Sequence, residues 1–137
     1  MINIKALLAG VTFVIFSGLL YQLIYILLAT GYAVVIKEHP GWQITGQVFS
    51  YILGGIGYFI IMSSGSYLTA YIAKKHIYLH VILIAILSTG ISLFASVRED
   101  GFTLNSILFV LLGIAFALVG GYTWTRHQLT EVSSENG

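Results

Sequence analysis

Apolar residues run almost without interruption along this chain, and three short polar breaks divide them into four segments. The first begins at Ala6 and continues to about Leu28, with an apolar extension through Ile36. The second runs from about Ile44 to Ala73, the third from Ile77 to Val97 and the fourth from Phe102 to Thr125. The breaks are KEHPGW at 37–42, KKH at 74–76 and REDG at 98–101. A helix crossing a hydrocarbon core of roughly 30 Å needs about 20 mainly apolar residues. Each segment therefore reads as a membrane span. The pattern predicts an all-α membrane protein, a four-transmembrane-helix bundle over residues 1–129, with a disordered cytoplasmic tail at 130–137. The single proline, Pro40, falls in the first break and interrupts no helix. The first two runs exceed the required length, so they either tilt or project into the headgroups. Residues 30–42 are expected to form a partly structured connection at the outer surface.

Composition strengthens the membrane reading. Of 137 residues, 58% are hydrophobic and 8% charged, and the mean hydropathy is +0.94. A soluble domain is typically about 25% charged, and one near this size buries only about 70% of the surface its unfolded chain exposes. The solvent must be lipid. The six basic residues are scattered and form no patch of the kind a nucleic-acid partner requires. The absence of cysteine removes disulfides, thiolate metal sites and cysteine catalysis.

Charge then gives the orientation. Lys5, Lys74, Lys75 and Arg126 flank the spans on one side, against Lys37 and Arg98 on the other. If the membrane is bacterial, the basic excess places both termini in the cytoplasm. Tyr32 and Trp42 near one face, and Tyr71, Tyr78 and Trp124 near the other, suit interfacial belts. The first run is longer than the apolar core of a signal peptide, about 7–15 residues, and no A-x-A site follows it, so it is read as a retained span.

The chemistry of the spans is sparse. All five acidic residues, Glu38, Glu99, Asp100, Glu131 and Glu135, lie in loops or the tail. An ionisable residue within a span would mark a proton relay or ion path, and small four-helix drug antiporters rely on a glutamate in their first helix. None stands here. The milder polar residues, including Gln22, Gln47, Ser64, Ser88, Ser92 and Asn105, are expected to hydrogen-bond across helices or back to their own carbonyls. Small residues recur at four-residue spacing: Ala6, Gly10 and Gly18 around Val14 in the first span, and Gly46, Ser50 and Gly54 in the second. Ser88, Ser92 and Ser96 follow in the third, and Gly113, Ala117 and Gly121 in the fourth. Such ridges let helix backbones approach closely, and the cluster at Gly54, Gly55 and Gly57 is read as a close crossing. Gly65 joins this packing set.

His76 and His80 are one turn apart and His127 follows the fourth span, a spacing that could hold a metal. Two of the three are interfacial, without a carboxylate nearby. A structural or pH-responsive role for His80 is preferred, with no metal and no cofactor. No nucleophile–base pair or phosphate loop is present, so a non-enzymatic role is expected. His80, Tyr67 and Tyr122 are the candidate polar functional residues.

Gly65-Ser66-Tyr67 and Gly120-Gly121-Tyr122 echo one another at an offset of 55 residues. Each ends an even-numbered span, followed by basic residues and a histidine. The chain is either two helical hairpins in the same orientation or a convergence on one good exit sequence. The second-span ending GSYLTAYIAKK, then Leu79-His80, then the second Gly-Gly-Tyr, resembles small uncharacterised four-span bacterial inner-membrane proteins with Gly-Gly-Tyr-type ends to helices two and four. Here Gly65-Ser66 replaces the first Gly-Gly, and Tyr71 stands where an arginine is frequent. The resemblance implies an inner-membrane location and brings no activity. The resulting expectation is an accessory, scaffold or oligomerising subunit, a homo-oligomer or part of a larger membrane-protein complex. The rival is a channel or transporter for a small neutral or weakly charged solute, with Gln22, Gln47, Ser64 and Asn105 around one wet cavity.

Overall fold

The computed structural model describes residues 2–100 and 104–135. Four long helices account for nearly all of them: α1 (Ile4–Glu38), α2 (Gln43–Ala73), α3 (Ile77–Asp100) and α4 (Leu104–Glu135). All four are long and apolar enough to cross a membrane, so the protein is a four-transmembrane-helix bundle. Among the described residues there is no strand.

Local chemistry sets the helix ends. Asn3 caps α1, its side chain accepting from the Ala6 amide at 3.3 Å. Past Glu38, a single 3-10 turn at Pro40–Trp42 reverses the chain, where proline can supply no helical amide. The α2–α3 connection is shorter still. Lys74 (φ 56°) and His76 (φ 52°) both adopt the left-handed region, which costs a side-chain-bearing residue roughly 1–2 kcal/mol.

Two boundaries differ from the sequence reading. The segment 30–42, expected to be a partly structured connection, continues α1 as regular helix to Glu38. Residues 32–36 are apolar or aromatic, and no proline or glycine pair precedes Pro40, so nothing breaks the helix before that point. Likewise α4 runs to Glu135, across most of the segment expected to be a disordered tail; residues 136–137 lie outside the described part.

Both termini lie at one end of the bundle, with the α2–α3 connection; we call this the terminal face. Parallel helices α2 and α4 pack along one another, α1 lies on α2, and α3 lies on α4 while touching α2. Among the described residues α1 and α4 do not touch. α1 and α3 meet near the terminal face, through Asn3–His80 and Gly10–Ile84. The core follows this arrangement. Val14, Met62, Val81, Ile84, Ala85, Ala117 and Trp124 are buried together, and α1 buries nothing beyond Val14.

Glycine sets the close approaches. A Cβ at Gly65 would overlap Val14, and one at Gly57 would overlap the Tyr21 ring. At Gly121 it would press on Val81, at Gly113 on Tyr58 and Thr89, and at Gly120 on the Ser63 carbonyl. Ala117 is fully buried on the same helix. These positions reveal the relation between the hairpins. Gly57, Gly65 and Gly121 each face the other helix of their own hairpin, and Gly113 faces Thr89 of its own hairpin as well as Tyr58 of α2. Thr69 and Thr125 each donate to the carbonyl four residues back, Gly65 or Gly121, at 2.8 Å. Gly57 and Gly113, Gly65 and Gly121, and Thr69 and Thr125 are each 56 positions apart, one more than the offset that aligns the tyrosines. Val14 and Val81 fill equivalent places against Gly65 and Gly121. The two hairpins thus repeat one packing scheme.

Candidate functional site

Beyond Gly10–Ile84, α1 and α3 diverge, and among the described residues no hydrogen bond joins the two helices there. The result is a cleft of about 270 Å³ between them, floored by α2 and α4. Gly18 lies on one wall with nothing within 4 Å of a built Cβ. Sequence reasoning placed Gly18 on a packing ridge; its ridge neighbours Ala6, Gly10 and Val14 are buried, whereas Gly18 lines the cleft. Gln22 stands one turn further along the same wall, and Ser88, Thr89 and Ser92 form the wall opposite.

Most hydroxyls here already have partners. Thr89 Oγ1 donates to the Ala85 carbonyl at 2.6 Å and Ser92 Oγ to the Ser88 carbonyl at 3.0 Å. Tyr58, whose ring stacks on Phe109 at 4.5 Å, donates to the Phe109 carbonyl at 3.2 Å. Ser88 differs. It is 4% exposed, and its Oγ has no hydrogen-bond partner. A buried polar atom of this kind costs roughly 1–3 kcal/mol of unrecovered desolvation. None of the described residues lining the cleft is charged.

A second feature lies at the opposite, far end of α1 and α2. α1, with 35 residues, is about 52 Å long at 1.5 Å per residue. Even at a tilt of about 40°, the upper end of the usual range, it spans about 40 Å against a hydrocarbon core of roughly 30 Å. Counting about 20 residues from Lys5 and from Lys74 puts the far edge of the core near Tyr25 and Leu53. The α1–α2 hairpin therefore continues past it. Leu27 (78% exposed), Ile44 (75%) and Tyr51 (82%) leave this tip apolar and uncovered. It is nonetheless tightly made. The Tyr32 ring lies against Gly46 and its hydroxyl donates to the Trp42 carbonyl, and just inside the core edge Tyr21 lies against Gly57 and donates to the Leu53 carbonyl at 2.6 Å. Gly54 and its neighbour Gly55 face open space; of the cluster read as a close crossing, only Gly57 makes one.

The candidate polar residues are not brought together. His80, 1% exposed, accepts the Asn3 amide at Nε2 (2.8 Å), with Nδ1 2.9 Å from the His76 carbonyl. This places the ring proton on Nδ1 and makes the imidazole a latch for the start of α1. Tyr67 lies at another hollow, with Tyr71, Trp124 and His127. Tyr67 and Tyr71 each meet Trp124 edge-on, at 5.3 and 5.1 Å. Tyr122 points outward, 56% exposed. Gln47 lines a separate hollow beside Tyr32 and Ser50, while Ser64 and Asn105 are exposed. The orphaned Ser88 hydroxyl was missed as a site because its surroundings depend on which helices are neighbours. No protein-family model, curated protein or solved structure matches this chain.

Proposed function

We propose that this protein is a non-enzymatic accessory subunit of a larger membrane assembly, docking through the far tip of its α1–α2 hairpin. The observation that carries the reading is the tip itself: regular, internally stitched helix that overshoots the hydrocarbon core with an uncovered apolar surface. Burying one large apolar side chain is worth about 1.5–3 kcal/mol, so several left at the polar headgroup level would carry a standing cost that a partner removes. The small-residue ridges support the same division of labour. Gly10, Gly57, Gly65, Gly113 and Gly121 are consumed inside the bundle, so these positions are not available for association with a partner. The basic residues at the terminal face support an inner-membrane protein with both termini cytoplasmic, so the tip projects to the outer side. A shared solute path through Gln22, Gln47, Ser64 and Asn105 gains no support from their separate surroundings.

The chain has no cysteine, so single-cysteine variants report cleanly. Leu27→Cys and Val48→Cys, treated with a short bifunctional crosslinker in native membranes, should give discrete adducts, whereas Leu111→Cys on the lipid side of α4 should not. Adducts at twice the protein mass would identify a second copy, and other discrete masses a heterologous subunit. Tip variants that remain uncrosslinked, or crosslink no more than Leu111→Cys, would overturn the reading.

A further inference from the structure

We propose that the cleft between α1 and α3 is a mid-membrane binding site for a neutral, ring-sized lipophilic molecule that brings a carbonyl oxygen to Ser88. Depth comes first. Ser88 lies 11 residues into α3, about 16 Å along the helix, and half a hydrocarbon core is about 15 Å. At that depth a phospholipid presents only acyl chain, which cannot satisfy a hydroxyl.

The lining narrows the ligand. The Ser88 Oγ is buried without a partner and its hydroxyl is free to donate. Across the cleft, Gln22 offers a second set of amide donors. Donors on two walls suit a compound with carbonyl oxygens on a compact frame. With no charged residue in the lining, an ionised ligand would have no counter-ion at the midplane, where charge is most costly. The volume of about 270 Å³ matches one substituted ring, and the stacked Tyr58–Phe109 pair gives it an aromatic floor. Because the cleft separates α1 from α3, the ligand enters sideways from the bilayer. This site is independent of the hairpin tip.

An alkyl-substituted para-benzoquinone serves as the probe, and the corresponding alkylbenzene, which lacks the carbonyls, as its control. Thermal unfolding of the purified full chain in mild detergent is followed against probe concentration. The quinone should raise the unfolding temperature saturably and the alkylbenzene should not. Ser88→Ala should weaken the quinone effect about fivefold, the loss of one hydrogen bond of about 1 kcal/mol. Gly18→Leu, entering space that holds no atom within 4 Å, should abolish it while leaving the ligand-free unfolding temperature nearly unchanged. Gly90→Leu, equally open but outside the cleft lining, should bind like the parent. Equal stabilisation by the alkylbenzene, or a quinone effect untouched by both Ser88→Ala and Gly18→Leu, would overturn the proposal.

Discussion

Glycine positions in this bundle divide by what a methyl group would strike. At Gly120 it meets the Ser63 backbone carbonyl, which cannot rotate away, so α2 and α4 must separate. Gly120→Ala should lower stability by about 1–3 kcal/mol, as overpacked cores do. Gly54→Ala meets nothing and should be neutral or stabilising by up to about 1 kcal/mol, from helix propensity alone. Unfolding in mixed micelles compares the two directly. Ser66 gives a prediction of opposite sign. It is fully buried with an unpartnered hydroxyl, so Ser66→Ala removes a desolvated group and should stabilise by about 1 kcal/mol. A loss of similar size would mean that the hydroxyl has a partner after all. Ser66 belongs to the motif that carries the sequence echo, and its burial explains why a small residue stands there.

Among the elements, the latch at His80 and the tip of the α1–α2 hairpin behave independently, because separate contacts hold them. His80→Leu would strand the Asn3 amide, costing about 1–3 kcal/mol if it stays dry, while the His76 carbonyl keeps the His80 backbone amide. Backbone hydrogen exchange should then speed up over the first turns of α1 and α3. Gly46→Leu would displace the Tyr32 ring and should speed exchange only in the far halves of α1 and α2. Exchange that changes uniformly in either variant would contradict this partition. The elements also show how far sequence reading reached. Number and order of the spans were legible, since run length against bilayer thickness decides them. The helical state of 30–38 was not, because an apolar run past the needed length fits either a connection or a continued helix. The His80–Asn3 bond joins residues 77 apart, and no periodicity within one helix reports such a pair. The cleft was invisible for the same reason: Gly18 sits in register with Gly10 and Val14, and only the divergence of α1 from α3 leaves it open. The echo was visible at an offset of 55, from its tyrosines. The offset of 56, set by which glycine faces which helix, needed three dimensions.

At the scale of the whole molecule, two hairpins repeat one packing scheme but end differently. α3 and α4 close near the far edge of the hydrocarbon core, while α1 and α2 continue beyond it. In the bundle interior Thr69, Thr89 and Ser92 bond within their own helices, while Tyr21, Tyr58 and Ser63 bond across helices; measured interhelical bonds average only about 0.6 kcal/mol. Function is then expected where packing is incomplete, at the mid-membrane cleft and at the tip. The tip carries the central claim. Leu27 and Val48, exposed there by 78% and 52%, are changed together to arginine in the full-length chain. Complex size is then read by native electrophoresis of membranes solubilised in mild detergent. The account predicts unchanged helix content and unfolding temperature, with the protein moving from a discrete large complex to the size of a lone chain. A complex of the same size in the double variant and the parent would contradict it.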